Sequence, residues 1–307
     1  MSEHLVLPEV RTAHLDGPVA YREWTGPGDV TFVCVHGLGG THLNWMAVAP
    51  ELSRHGRVLA LDLAGFGYSP RAGRSSGLPA NRRLISRFVA EVAGGPVVAV
   101  GNSMGGALVA LQAALEPDSV SGIILTSPAL PWTRRVRPER LIVAGFTFYR
   151  IPTLSDWVVR GRAARWGAER VVHEGLKLCC VDPSRVDPAV VRAQVEMTRF
   201  RERDPDSIPA FLEAARSLMH LKDHPDFVRR VMDAVRCPVL VIHGDRDRLV
   251  PVGLAREAVR GRESWHLEVI DDVGHIAHME APDRLLAAAE NWLADARLSG
   301  LAGQAVG

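Results

Sequence analysis

The chain has 307 residues, 47% hydrophobic and 23% charged, with a formal net charge of +1. A chain of that length buries a full core without disulfide or metal staples, and its near-neutral balance gives no overall pull toward nucleic acid. No stretch approaches the roughly 20 apolar residues of a membrane span, and the opening MSEHLVLPEVRTAHLDG lacks the basic start and apolar run of a signal peptide, so a cytoplasmic protein is expected.

The stretch to Trp24 is read as an antiparallel hairpin. Short apolar runs then recur at Val30 to Val35, Val58 to Leu63, Val97 to Val100 and Gly122 to Leu125, and again at Pro238 to Ile242 and Leu267 to Ile270. Continuous apolar runs of this length suit parallel strands covered on both faces. Helical spacing lies between several of them. Leu84, Ile85, Phe88, Val89 and Val92 share one face, Met104, Leu108, Leu111 and Leu115 a second, and Leu285, Leu286, Ala289, Trp292 and Leu293 a third. Strand followed by helix, repeated, predicts a doubly wound parallel α/β sheet.

The alternation breaks between about Pro131 and Arg236. That mildly basic interval reads as helices near Leu141 to Phe148, Leu154 to Trp166, Glu169 to Leu178, Pro188 to Phe200 and Ile208 to Leu221. The predicted division is a core formed by 1–130 and 237–307 with a helical cap at 131–236. Trp132, Trp157 and Trp166 fall in the cap, where lining of a substrate passage stands beside core packing, and core packing is expected for at least two of them. The tail LSGLAGQAVG reads as a frayed end. Cys34 and Cys237 sit in apolar runs and Cys179 and Cys180 are adjacent, so reduced thiols are expected rather than a disulfide framework.

Gly101-Asn-Ser-Met-Gly105 fits G-x-S-x-G between a strand and a helix. A serine on so sharp a turn needs small residues two places to either side, and the turn aims the Met104 N–H, at a helix N-terminus, toward a developing oxyanion. A hydroxyl nucleophile needs a base and the base needs a carboxylate. His275, in Asp271-Asp-Val-Gly-His275, follows one predicted strand, and the acids of His243-Gly-Asp-Arg-Asp247 follow another, on the edge where Ser103 sits. Val35-His-Gly-Leu-Gly-Gly40 is placed to supply a second amide donor, from Leu38. His36 and Asp62 are read as loop braces. His275 and His278 lack metal-ligand spacing, and no glycine loop has a dinucleotide fingerprint or is followed by a Walker lysine, so neither metal nor cofactor is expected.

These pieces resemble the cap-bearing α/β-hydrolase superfamily. The resemblance rests on His36-Gly-Leu-Gly-Gly40 with Asn44-Trp45, Asp62-Leu-Ala-Gly-Phe-Gly-Tyr-Ser69, Gly101-Asn-Ser-Met-Gly-Gly106, Gly244-Asp-Arg-Asp-Arg-Leu-Val-Pro251 and Gly274-His275 with Glu280 and Pro282. It implies a mostly parallel eight-stranded sheet flanked by helices, with the cap between strands 6 and 7. It also implies a triad of Ser103, Asp247 and His275, with Asp245 the second choice of acid. The oxyanion donors are then Leu38 and Met104, and Gly37, Trp45, Asn102 and Ile276 are substrate-lining candidates. The expected activity is hydrolysis of a small, hydrophobic carboxylic ester by a monomer or homodimer. Two alternatives stand beside it. One is cleavage of a carbon–carbon bond in a ring-fission product, although Ile276 stands where those enzymes carry tryptophan and Gln194, near Arg192, stands where they carry a cap arginine. The other is a receptor that binds ligand without turnover.

Overall fold

Both faces of the predicted parallel strands are covered by helices in a computed structural model, which describes residues 7–133 and 135–298. All of the predicted tail but Leu298, which ends the last helix, therefore lies outside the described residues. β1 (Arg11–His14) and β2 (Pro18–Trp24) form the N-terminal hairpin, followed by β3 (Val30–Val35), a glycine loop, a 3-10 turn at His42–Trp45 and the short α1 (Ala49–Leu52). Then come β4 (Gly56–Leu61), α2 (Leu78–Phe88), β5 (Val97–Asn102), α3 (Met104–Leu115) and β6 (Val120–Thr126). The helices α4 (Arg140–Phe148), α5 (Pro152–Cys179), α6 (Pro188–Arg201), α7 (Ser207–Lys222) and α8 (Pro225–Ala234) intervene before the sheet resumes. β7 (Val239–Gly244), α9 (Val252–Val259), β8 (Trp265–Ile270), α10 (Ala277–Glu280) and α11 (Pro282–Leu298) complete the chain.

The eight strands form one sheet in the order β1-β2-β4-β3-β5-β6-β7-β8. β1, β2 and β4 pair antiparallel, and every pairing from β4 through β3 to β8 is parallel. The chain leaves β3 toward β4 on one side and returns to β5 on the other. In an open α/β sheet the crevice at such a reversal, outside the strands' C-terminal ends, is where ligands bind. The glycine loop after β3 and Ser103 after β5 flank this crevice.

The strands' period of two sorts their side chains into separate layers. Val33, Val35, Leu59, Leu61, Val97 and Ala99 share a cluster with residues of α2, α3, α8 and α9. Phe32, Cys34, Val58, Ala60, Val98 and Val100 share the other with α1 and α11, whose Trp292 is 5% exposed. At about 25 cal/mol per Å² of apolar surface removed from water, each fully buried valine, leucine or phenylalanine among them contributes roughly 1.5–3 kcal/mol. This stiff double-sided core holds the strand ends, and the loops that leave them, in fixed relation.

The segment between β6 and β7 differs from expectation in two respects. The helices expected at Leu154 to Trp166 and Glu169 to Leu178 form one run, α5, broken only at Gly167 (φ 70°, ψ 166°). A further helix, α8, places Val228 and Met232 in the same apolar cluster as α3 and the sheet. The tryptophans also depart from the expected packing. Trp157 is 74% exposed, and the half-buried Trp166 lies between the guanidinium groups of Arg162 and Arg170. Only Trp132 packs against the core. The segment meets the core through a third cluster. There Leu176 and Cys180 of α5 and its end, and Val190 and Met197 of α6, pack on Leu43, Met46, Ile276 and Met279.

Candidate active site

Ser103 stands between the last residue of β5 and the first of α3 with φ 53° and ψ −113°. A non-glycine residue at positive φ carries about 1–3 kcal/mol of strain and persists where its surroundings over-determine it. Here the Ser103 N–H donates to the Thr126 carbonyl (3.1 Å), and its own carbonyl accepts from Ala107 (3.1 Å) and Ala129 (2.9 Å). The turn is tight because its flanks are small. A Cβ on Gly101 would come to 2.5 Å from the Gly105 carbonyl oxygen, and one on Gly105 would run into the carbonyl oxygens of Val35 and His36. The Ser103 side chain is thus held up, half-buried, at the crevice.

His275 follows β8 and Asp247 follows β7. The His275 Nδ1 lies 2.7 Å from Asp247 Oδ2. The other carboxylate oxygen, Oδ1, accepts from the Leu249 and Val250 amides, each at 2.9 Å. His243 Nε2 is 3.3 Å from Oδ2 and 2.6 Å from the Val250 carbonyl oxygen. Burial disfavours the Asp247 charge, but the adjoining His275 and His243 rings outweigh it and hold the carboxyl well below the usual range. Asp245 is exposed and accepts from the Asp272 amide (2.7 Å), so it braces a turn away from the imidazole.

The His275 loop is tied on two sides. Asn102, beside Ser103, donates from Nδ2 to the His275 carbonyl (3.3 Å) and to that of Thr126 (3.1 Å). The His275 N–H donates to the Cys179 carbonyl at the end of α5 (2.6 Å). Buried Glu280 accepts from Gly274 N with Oε2 and from Val181 N and Asp182 N with Oε1, all at 2.8 Å. The serine and the imidazole are therefore anchored to one rim through neighbouring backbone. Among the described residues the Ser103 hydroxyl and His275 Nε2 make no direct hydrogen bond.

The two predicted amide donors lie next to residues that neighbour Ser103. Gly37 is buried against the Asn102 and Ser103 side chains, which brings the next residue, Leu38, to the crevice. Met104 opens α3. Neither the Leu38 nor the Met104 N–H is used in a hydrogen bond among the described residues. His36 and Asp62 brace this loop from beneath. His36 Nε2 accepts from the Leu63 amide (3.1 Å) while Nδ1 faces the Gly37 carbonyl (2.8 Å), and burial pushes the imidazole down to about 4. Asp62 accepts from His42 N (2.7 Å) and Tyr68 N (2.8 Å) and pairs with His42 Nδ1 (2.8 Å).

Three of the four substrate-lining candidates are placed otherwise. Trp45 is fully buried because the capped 3-10 turn Thr41–Trp45 rotates its indole into the layer below the sheet, stacked on His278 at 4.7 Å. Ile276 is 7% exposed in the cluster that joins α5 and α6 to the core. Asn102 is 3% exposed with its amide spent on the bonds above, so it positions rather than lines. Only Gly37, through its contact with Ser103, remains next to the reacting position. Sequence reasoning missed the Cys179 carbonyl, because a backbone contact leaves no side-chain signature, and His243, whose place next to Gly244-Asp245 was its only signal.

The family model for the alpha/beta hydrolase fold matches residues 30–282. Over 256 residues the chain is 27% identical to a 2-hydroxy-6-oxo-6-(2'-aminophenyl)hexa-2,4-dienoic acid hydrolase of Metapseudomonas resinovorans, covering 82% of this chain and 79% of that one. It is 28% identical over 290 residues to a monoacylglycerol lipase of Mycolicibacterium smegmatis, covering 87% and 89%. It is 27% identical over 267 residues to a dihydrolipoyllysine-residue acetyltransferase component of the acetoin cleaving system of Pseudomonas putida; that match takes in 86% of this chain but 63% of the longer relative. With its eight-stranded sheet, its serine at the strand-to-helix elbow and this match across most of its length, the chain belongs to the α/β-hydrolase fold family.

Proposed function

We propose that the protein is a serine hydrolase that cleaves a carboxylic ester through an acyl-enzyme. The observation that carries this reading is the 2.7 Å bond from His275 Nδ1 to a buried Asp247 on the rim where Ser103 is held at positive φ. Asp247 keeps the proton on Nδ1, which leaves Nε2 as the basic nitrogen. His275 Nε2 takes the Ser103 proton as Oγ attacks the carbonyl carbon, and the Leu38 and Met104 N–H groups donate to the oxyanion that forms. On collapse Nε2–H gives its proton to the departing alkoxide. Water, deprotonated by the same nitrogen, then attacks the acyl-enzyme and releases the acid and Ser103. A hydroxyl at the elbow supports this chemistry over epoxide or halide displacement, for which relatives place an aspartate there.

Carbon–carbon bond cleavage is the second reading, favoured by the likeness to the dienoic acid hydrolase. Against it, Ile276 and Gln194 stand where those enzymes carry tryptophan and a cap arginine, and the Gln194 amide is turned toward Asn44 (3.4 Å). The test is a series of p-nitrophenyl esters of increasing acyl length beside a vinylogous 1,5-diketone, on wild type, Ser103→Ala and His275→Ala. Ester turnover lost in both variants is expected. Turnover of the diketone alone would move the assignment to the second reading. Ligand-induced stabilisation without any turnover would move it to a non-catalytic receptor.

A further inference from the structure

Lys222, the last residue of α7, is 8% exposed. Its ammonium lies 4.9 Å from the ring centre of Trp132 and 5.5 Å from that of Phe146. Among the described residues it makes no hydrogen bond and no ion pair. The acid next to it in sequence, Asp223, is turned outward and paired with Arg150 (2.6 Å). The carboxylate whose field Lys222 feels from within the protein is that of Asp247. That carboxylate is already engaged by His275, His243, Leu249 and Val250.

An ammonium removed from water without a counter-ion is disfavoured by several kcal/mol. The two aromatic faces return only about 0.5–2 kcal/mol each. Burial accordingly lowers the lysine to about 8, against the opposing pull of Asp247, which still leaves it mostly charged at neutral pH. The position is specific. Trp132 follows β6 on the same sheet edge as Ser103 and Asp247, while Phe146 belongs to α4 and Lys222 to α7, so the charge sits where the inserted helices meet the rim. The chain has two lysines in all, the other being the exposed Lys177.

We propose that Lys222 is the anion-recognition residue of the substrate site, so that the preferred substrate carries a carboxylate as well as the bond that is cleaved. The proposal rests on the hydrolase reading for its catalytic arm. The carboxylate of the substrate supplies the hydrogen-bonding partner that the protein withholds from the ammonium, and the apolar surfaces of Trp132 and Phe146 pack on the carbons beside it. The anion grip is then on α7 and not at the α6 position of Gln194.

Two measurements separate this proposal from the reading beneath it. In the first, kcat and KM are compared for mono-p-nitrophenyl glutarate and for p-nitrophenyl valerate, which differ chiefly in the terminal carboxylate. In Lys222→Met the glutarate-to-valerate ratio of kcat/KM falls about 10–100-fold, or about 1.4–2.8 kcal/mol, through a raised KM. Lys222→Arg restores most of it. An equal loss on both esters, or an unchanged ratio, overturns the proposal and returns Lys222 to a packing role. In the second, free glutarate is titrated against tryptophan fluorescence in Ser103→Ala, with Trp132→Phe as the control. A saturable response that vanishes in Lys222→Met and in the control is expected, and its absence overturns the proposal. A glutarate response with neither ester turned over sinks the hydrolase reading alone. Turnover with no glutarate response and an unchanged ratio sinks this proposal alone. Lys222→Gln stands in if the methionine variant does not fold.

Discussion

Replacing Asp247 by asparagine changes one oxygen to an NH2 group and tests the site at its most constrained point. The carboxylate has two distinct duties. Oδ1 accepts two backbone amides at 2.9 Å, and Oδ2 accepts from His275 at 2.7 Å with His243 at 3.3 Å. An asparagine cannot do both. With its NH2 in place of Oδ1, two buried amides lose their acceptor, at about 1–3 kcal/mol each. With its NH2 in place of Oδ2, a single charge-assisted bond is lost, about 1.5–3 kcal/mol, and the His243 contact turns unfavourable. The second arrangement costs less, so the NH2 faces His275, whose Nδ1 then becomes an acceptor. The imidazole proton moves to Nε2, the nitrogen that receives the Ser103 proton in the proposed mechanism. The expected result is a folded protein with a modestly lowered melting temperature and a kcat reduced about 10³–10⁴-fold, the scale of a triad held in the wrong tautomer. The assay is turnover of a p-nitrophenyl ester, with thermal unfolding measured in parallel and Asp245→Asn as the control. A rate within tenfold of wild type would refute the assignment of Asp247 as the orienting acid, as would an equal loss in Asp245→Asn.

Two further outcomes follow from strain and burial. Ser103→Gly removes the side chain that opposes φ 53° while restoring about 0.5–1 kcal/mol of backbone entropy to the unfolded chain; turnover is lost and the melting temperature nevertheless rises by about 2 °C, whereas a fall in thermal stability would show that the elbow is unstrained. His278 is fully buried on Trp45 with both ring nitrogens unpartnered among the described residues, and burial holds it down at about 3. Its folded value lies below its unfolded one, so the stability tied to its neutral form is intact above pH 6.5 and drains away as pH falls toward 3, at up to about 1.4 kcal/mol per pH unit. His278→Phe keeps the stacked ring without the proton, so its advantage in melting temperature widens between pH 6.5 and 4; a constant offset across that range counts against the assignment.

The strands were readable because β3 to β7 are buried on both faces, which forces runs such as VTFVCV and VLVIHG to be almost wholly apolar. The elbow was readable because its requirements are local: a serine, and glycine where a Cβ would meet backbone. Placing His275 after one predicted strand and the acids of His243 to Asp247 after another put them on one edge, and the choice of Asp247 over Asp245 came from the family resemblance. Three kinds of feature were not legible. Helix α8 hides its apolar stripe of Val228, Val231 and Met232 in a charged stretch. The direction of Trp45 depends on a capped turn that rotates it below the sheet, and its sequence neighbours on the glycine loop suggested the opposite. The isolation of Lys222 is a statement about which carboxylates fail to reach it, and only the packing of α4, α7 and the segment after β6 decides that.

The hydrogen bond from the His275 amide to the Cys179 carbonyl makes the far end of α5 a structural part of the imidazole's mounting. Gly274 sits so close to the same carbonyl that no larger residue fits between the two loops. In the proposed mechanism, moving the inserted helices as one rigid block breaks the bond between Cys179 and His275 and disturbs the seat of the imidazole. A displacement that pivots at Gly167, the single break in α5, leaves that bond in place. On the proposed function, motion of the inserted helices and the seating of His275 are therefore separable on the N-terminal side of that glycine, and a cross-link placed there distinguishes a gate from a scaffold.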